Sequence, residues 1–405
     1  MIIPKMAFRN IFRQRRRSLL TGLMMMGGFT LCSVFLGIQY GSYGNIIDLF
    51  TRDHTGHVQI HRFGYLDKPS LYRTMAAEDS VEEKVLGVAH VESVAPRVYS
   101  PALAFVGKKT TGAEVVGIDP IKEASTTRIS HKVDQGQYLS ESSSNDIIIG
   151  GGLAEILNIG LDDEVALIGQ GADGSIANDI FKVRGIISKE VSSYDKMKCY
   201  MHIKKAQEFL VLEGRIHEIA VLLDDEDSAR KTAIEISEKI GDEGLSVDPW
   251  QVVEKEFYRA MLIDNQGNYI SQGIIILMVA IGVLDTVLMS ILERTKEFGV
   301  MRALGTRPAA VFKLIVIETL LLCLIAIAVG VVLSFFLNYY LSIHGIKMST
   351  SFEYGGITFD TMLSEVSFIV FWVPALVTFL AAVTVSVFPA IRAARIVPVK
   401  ALRAK

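Results

Sequence analysis

Residues 18–47 read SLLTGLMMMGGFTLCSVFLGIQYGSYGNII, thirty positions without one charged side chain. A soluble domain does not carry such a run, so this stretch is read as a membrane-spanning helix with its apolar heart from Leu19 to Tyr43. Three more follow. Tyr269 to Leu292 is interrupted once, by Asp285; Val311 to Leu341 carries Lys313 and Glu318 near its start; Val366 to Ile391 is again uncharged. Each is at least about 23 residues, enough to cross about 30 Å of hydrocarbon at 1.5 Å per residue. The first run exceeds the apolar segment of a signal peptide, no small-x-small cleavage pattern follows closely, and Leu31 stands where a lipoprotein signal needs a small residue before Cys32. A retained helix is expected.

Lysine and arginine in the short flanks set the orientation. Lys5, Arg9, Arg13, Arg15, Arg16 and Arg17 precede the first span. Arg294, Lys296, Arg302 and Arg307 lie between spans two and three, and Arg392, Arg395, Lys400, Arg403 and Lys405 follow span four. The connection between spans three and four has Lys347 against Glu353, Asp360 and Glu365. The pattern predicts a cytoplasmic amphipathic segment at 1–17, spans at 18–45, 269–292, 311–341 and 366–391, a cytoplasmic loop at 293–310, a cytoplasmic tail at 392–405, and both termini inside. Residues 46–268 and the short loop 342–365 are then outside.

The formal net charge is −3, which leaves no concentrated basic face for nucleic acid. Of three cysteines, Cys32 and Cys323 fall in spans and Cys199 stands alone, so no disulfide framework is available to the exported segment. About 220 residues suffice to build a core without one. The segment reads as mixed α/β. Strands are expected at 115–118, 146–150, 165–168, 181–187 and 217–223, with helices at 153–157 and 228–240, the latter burying Ala229, Ala233, Ile236 and Ile240. Glu141 to Asn145 reads as a loop. Trp250, Val253, Phe257, Ala260 and Met261 share one helical stripe, read as a stalk running into the second span beside an extension of the first around Gly44 to Phe50.

Signs of catalysis are weak. Gly150-Gly151-Gly152 sits between a strand and a helix but lacks the Lys-Ser/Thr of a phosphate loop, so it is read as a tight turn. His54, His57 and His61 invite a metal, yet Val58 and Ile60 alternate with His57, Gln59 and His61 as in a strand with one polar face. Asp224 to Asp227 lacks the glycine and closing glutamate of a calcium loop and reads as a solvated turn capping a helix. No serine-hydrolase elbow or zinc-protease motif occurs. Neither a metal nor a catalytic site is expected. Within the spans, Asp285 should face a protein interface, as a hydrogen bond to a neighbouring helix or as a proton or ion site. Glu318 is nearer the cytoplasm and is expected to snorkel or to pair with Arg302 or Arg307. Gly37 and Gly41 form a G-x-x-x-G suited to close helix packing.

The loop Glu293-Arg294-Thr295-Lys296-Glu297-Phe298-Gly299-Val300-Met301-Arg302-Ala303-Leu304-Gly305-Thr306 resembles the signature of ABC permeases of the FtsX/MacB superfamily, E-R-x-x-E-[IF]-G-x-x-[RK]-A-[LI]-G after the second span. The likeness extends to Phe8-Arg9-Asn10-Ile11 and Arg16 to Thr21, and to Phe388-Pro389-Ala390-Ile391-Arg392-Ala393-Ala394-Arg395 with Pro398 and Ala401-Leu402-Arg403. Gly117 to Pro120 and Ile149 to Ala154 resemble the MacB-like periplasmic core. Asp285 departs from the family, which more often has Asn there.

The resemblance implies an α-helical membrane protein of four spans with an α/β extracytoplasmic domain between the first two. It implies a bacterial inner-membrane, non-enzymatic permease subunit. The loop would couple to a separate cytoplasmic ABC ATPase through Glu293, Arg294, Glu297 and Arg302, with Phe298, Met301 and Leu304 as one apolar docking side. ATP and magnesium would sit on that partner, and none on this chain. A second permease copy or a homologous permease would complete the pair, in contact with membrane lipid. Three readings stay open. The length and the Gly56-His57-Val58-Gln59-Ile60 start of the exported domain lean toward lipoprotein release from the membrane, with a lipoprotein as partner. Efflux of a periplasmic substrate through an adaptor is the second, and FtsX-like transmembrane signalling is the third.

Overall fold

The structure, a computed structural model, describes residues 2–13, 15–187, 194–354 and 357–398. Lys400, Arg403 and Lys405 of the tail, with Ala401 and Leu402, lie outside the described residues. The chain forms two compact units, one of residues 1–44, 262–348 and 361–405, the other of 45–261 and 349–360.

The first unit is helical. It contains α1 (Ile2–Arg13) and most of α2 (Arg15–Phe50). After the small helices of the second unit, α3 (Asp79–Leu86), α4 (Pro120–Thr126), α5 (Gly151–Leu157), α6 (Ile203–Phe209), α7 (Ala229–Ile240) and α8 (Trp250–Val253), come α9 (Lys255–Glu293), α10 (Thr295–Ala303), α11 (Pro308–His344) and α12 (Phe368–Ala394). Among the described residues, four helices are long and apolar enough to cross a membrane: α2 as far as Thr55, α9, α11 and α12. α2, α9 and α11 run past their expected spans at both ends, whereas α12 starts inside its span, at Phe368, and ends beyond it, at Ala394.

Small residues let these helices approach. Gly28 of α2 faces Val279 of α9, and Gly282 of α9 faces Met24. Near the other end Gln39 bonds Asn265 and Tyr43 bonds Asp264. Gly37 lies against Asn338 of α11, and Gly41 against the backbone of 363–365, where a Cβ would stand 2.6 Å from the Glu365 nitrogen. Asn338 is a buried polar residue in an apolar helix, and it is satisfied: Ser364 donates to it at 2.8 Å and it donates to Ser33 at 3.4 Å. Helix–helix approach in lipid depends on small residues and internal hydrogen bonds of this kind.

The second unit is built on a ten-stranded sheet. Its order is β12 (Leu245–Pro249), β1 (Val58–Arg62), β11 (Glu218–Leu223), β3 (Val91–Val106), β4 (Lys109–Ile118), β9 (Lys198–His202), β6 (Asp146–Gly150), β8 (Ile176–Ile187) and β5 (Val133–Gly136), with β7 (Glu164–Gln170) pairing β3 and β8. Short β2 (Met75–Ala76) pairs β10 (Arg215–Ile216), and β13 (Ile346–Tyr354) pairs β14 (Ile357–Met362). The expected strands and both expected helices are present, and Ala229, Ala233, Ile236 and Ile240 are buried. Cys32, Cys199 and Cys323 are free and buried.

Two local expectations change, and a third, the glycine turn, gains its reason. The stalk stripe is not one helix: α8 ends at Glu254 (φ −95°, ψ 50°) before α9 begins, so Trp250 and Phe257 are buried on either side of a break. The polar face of β1 is not solvated. His57, Gln59 and His61 are all buried because β11 and β12 flank the strand and Tyr65 stacks on His61 at 5.2 Å. The glycine turn after β6 is tight for a specific reason: a Cβ at Gly150 would overlap the backbone of Asp195 and stand 2.5 Å from the Lys196 carbonyl, so this loop is packed by protein backbone.

Gly56 joins the first helix to the sheet. It has φ +70°, and a Cβ there would stand 2.8 Å from the Val221 carbonyl oxygen. Gly56→Ala is therefore expected to cost about 1–3 kcal/mol through backbone strain. Thermal unfolding of the full chain checks this, and an unchanged melting point would contradict it.

Candidate functional site

The candidate site is the 293–310 loop and what surrounds it in the helical unit. Arg294 (φ −92°, ψ 9°) breaks the helix, ending α9 and starting α10. Gly305 at φ +92° closes α10, and Pro308 takes the first turn of α11, where its missing N–H costs nothing. Three helices are thus joined by a one-residue interruption at Arg294, across which backbone bonds to Ser290 and from Phe298 persist, and by a glycine turn before Pro308.

Arg294 is the centre of this corner. Its side chain is 8% exposed, and Nη1 donates to both Glu318 carboxylate oxygens at 3.1 and 2.9 Å. Nε donates to Glu297 at 3.2 Å, and the guanidinium stands 5.0 Å from the Phe298 ring centre. Phe298 itself is 1% exposed, in a cluster with Ala7, Val287, Ile291, Val311, Leu314 and Ala390. Glu293 pairs with Arg17, and Glu297 pairs with Arg13 at 3.2 Å. The corner encloses a cavity of about 40 Å³ lined by Arg17, Thr21, Thr286, Ser290, Glu318 and Thr319, among others.

This geometry corrects the expected docking side. Phe298 does not share an outward face with Leu304; α1, α11 and α12 residues bury it, and Met301 is half-buried against the same cluster. Leu304 is 82% exposed and Val300 is 45% exposed, so the outward apolar face is Val300 and Leu304. Arg294 is likewise an internal residue. Glu318 pairs with Arg294 where Arg302 or Arg307 was expected. Arg302 is half-buried and donates to the Thr306 carbonyl at 2.8 Å, bracing the turn into α11. Glu293 and Glu297 remain exposed enough to meet solvent or a partner.

Asp285 lies on the outward side of α9, exposed in this chain, while Val283 and Val287 face the core. The charged residues that sequence reasoning left out are Arg13 and Arg17. Both were counted only as flank charge, and their pairing with Glu297 and Glu293 depends on the return of the chain after more than 250 residues.

The three clustered histidines of the sequence, His54, His57 and His61, do separate jobs. His57 Nδ1 accepts from the Leu223 N–H at 2.9 Å, His61 bonds Glu218 at 3.3 Å, and His54 lies 3.1 Å from Lys132 Nζ. Among the described residues there is no group of three or more His, Cys, Asp or Glu placed to hold a metal.

Residues 269–398 match the FtsX-like permease C-terminal family. The chain is 24% identical over 98% of its length to an uncharacterized ABC transporter permease of Methanocaldococcus jannaschii, covering 96% of that protein. It is 24% identical over 56% of its length to the lipoprotein-releasing system transmembrane protein LolC of Neisseria meningitidis, covering 56% of it. To the macrolide export ATP-binding/permease protein MacB of Shewanella oneidensis it is 25% identical over 98% of its length, covering 60%. The chain thus spans little more than half of each of the last two.

Proposed function

Because this chain is an ABC transporter permease of the FtsX/MacB superfamily, we propose that it couples ATP hydrolysis on a separate cytoplasmic ATPase to movement of its extracytoplasmic domain, and that the movement releases lipoproteins from the membrane. The observation that supports coupling is the buried Arg294–Glu318 pair beneath an outward Val300–Leu304 face. A short helix with an apolar exposed edge and fixed charges suits a groove on a partner. Pushed from the cytoplasm, α10 cannot swing freely, because Arg294 at its start ties it to α11 and Glu297 pairs with Arg13, while Glu293 at the end of α9 pairs with Arg17. ATP and magnesium belong to the ATPase in this reading, and both termini are cytoplasmic.

A second permease chain covers the outward side of α9. An aspartate at span depth costs roughly 2.5–3.5 kcal/mol when it meets lipid, so Asp285 calls for a polar neighbour from outside this chain. The likeness to LolC supports lipoprotein release. The longer likeness to MacB supports the alternative, export of a substrate already outside the cytoplasm through an adaptor.

Two assays test the proposal. Leu304→Glu and Arg302→Glu are expected to reduce capture of the ATPase in nanodiscs by about tenfold or more, the equivalent of at least about 1.4 kcal/mol. Wild-type capture by both variants would refute the docking face. Proteoliposomes holding the complex and a lipidated reporter should then release the reporter to a soluble acceptor only with ATP. Retention of the reporter by a complex that hydrolyses ATP would turn the reading toward efflux.

A further inference from the structure

The carboxyl end of α2, part of the second unit from Asn45, passes into the sheet through a short π-helical turn, Thr51–Thr55, in which the Gly56 N–H bonds the Thr51 carbonyl at 2.7 Å. The last carbonyls of a helix have no partner within it, and a helix end carries partial negative charge. Here each is taken, by donors from separate parts of the domain. The Arg128 N–H donates to the Arg52 carbonyl at 2.8 Å and Gln59 Nε2 to the Thr55 carbonyl at 2.9 Å. Lys132 Nζ donates to the Asp53 carbonyl at 3.3 Å, and Arg97 Nη1 to the His54 carbonyl at 2.5 Å.

The two cations are buried at 5% or less and are themselves anchored. Arg97 forks onto Glu123 at 2.7 and 3.0 Å and reaches Glu218 at 2.8 Å. Lys132 pairs with Asp195 at 3.2 Å and Asp53 at 3.5 Å. Arg97 belongs to β3 and Glu218 to β11, so the helix end is bolted to the centre of the sheet. The neighbouring entry into α9 is built differently. It passes through the break at Glu254, with Trp250 and Phe257 in ring contact at 6.4 Å and Phe50 and Phe257 at 4.9 Å. Apolar rings can slide and turn on one another, whereas a buried ion cluster with fixed hydrogen bonds has one arrangement.

We propose that Arg97 and Lys132 are positioning residues that grip the carboxyl end of α2, making this helix the rigid strut that delivers motion to the domain while the α8–α9 break acts as the hinge. The proposal rests on the coupling reading above and adds which helix carries the push and through which side chains.

The test is hydrogen exchange read by mass spectrometry on the full chain with its ATPase in nanodiscs, with and without ATP plus vanadate. In the wild type, nucleotide trapping should alter exchange in the β3 and β11 peptides. In Arg97→Met and Lys132→Met that response should be lost, while ATP hydrolysis continues and the β6 and β8 peptides keep their resting protection. A folded variant that retains the β3 and β11 response overturns the proposal. Should the methionine variants lose resting protection, Arg97→Lys decides: it keeps the charge without the fork, and a full wild-type response in it overturns the grip, whereas a reduced one supports it. A wild type that hydrolyses ATP without any response in the domain overturns the strut alone. A wild type that binds no ATPase overturns the coupling reading and this inference with it.

Discussion

Glu318→Ala is expected to destabilise the helical unit by about 3–5 kcal/mol and to uncouple the ATPase, a larger effect than any exposed charge in the loop should give. The reason is what the substitution leaves behind. Arg294 stays buried with its charge, having lost the two oxygens that accept from Nη1 at 3.1 and 2.9 Å. The adjoining cavity of about 40 Å³ has room for little more than a water or two and replaces only part of that interaction. Taking both charges away is a different experiment. In Arg294→Met with Glu318→Met no charge is stranded, so much of the stability should return, while the tie between α10 and α11 stays broken. Denaturation in mixed micelles reports the first quantity, and ATP turnover of the reconstituted complex reports the second. If the double variant is as unstable as Glu318→Ala, the loss is one of packing and not of an orphaned charge. If either variant couples normally, the pair does not transmit force.

The spans were legible because nothing but lipid tolerates runs such as 18–47 and 366–391. The loop motif was legible too, since fourteen consecutive positions from Glu293 to Thr306 fall in a recognisable pattern. The direction each side chain takes was not. Phe298, Met301 and Leu304 share a face of an ideal helix, but which side is inward is decided by α1, α11 and α12, segments far away in the chain. Glu318 finds Arg294 for the same reason. In the α/β domain, isoleucine and valine runs marked β6, β7 and β8, whereas the sixteen-residue β3 escaped notice because Pro96 and Pro101 interrupt it. Proline removes a ladder donor, and it stands here only because the strand pairs different neighbours along its length. Arg97 reads as an ordinary polar position in that strand. Its role appears only when Glu123, Glu218 and the end of α2 converge on it.

Acid should weaken the α/β domain through its buried histidines, and His57 is one whose share can be isolated. His57 is 2% exposed, and its Nδ1 accepts the Leu223 N–H, which only an unprotonated nitrogen can do. Burial, aided by the nearby positive charge of Arg52, pushes its pKa down to about 4 from an ordinary 6.5. The unfolded chain therefore binds a proton that the folded one refuses between these values. Stability rises with pH through that window and is lost as pH falls from about 6.5 toward 4. At 1.36 kcal/mol per unit the loss is about 3 kcal/mol. His217, also held low by burial, adds in the same direction. Glu218 acts elsewhere on the scale. Burial opposes its charge, but His61 and Arg97 together hold its pKa below the usual carboxylate value, so its contribution is lost only at lower pH. His57→Asn separates the two, since an amide oxygen can accept the same N–H without titrating. Glu226, raised to about 7 by burial, takes up a proton more readily in the folded chain and opposes the loss, so the difference is the readout. Melting of the full chain from pH 7 to 4.5 should fall further in the wild type than in the variant. Parallel decline in both would assign the acid sensitivity to other groups, His54 and His217 among them, and His57 would then be no more than a cap on β11.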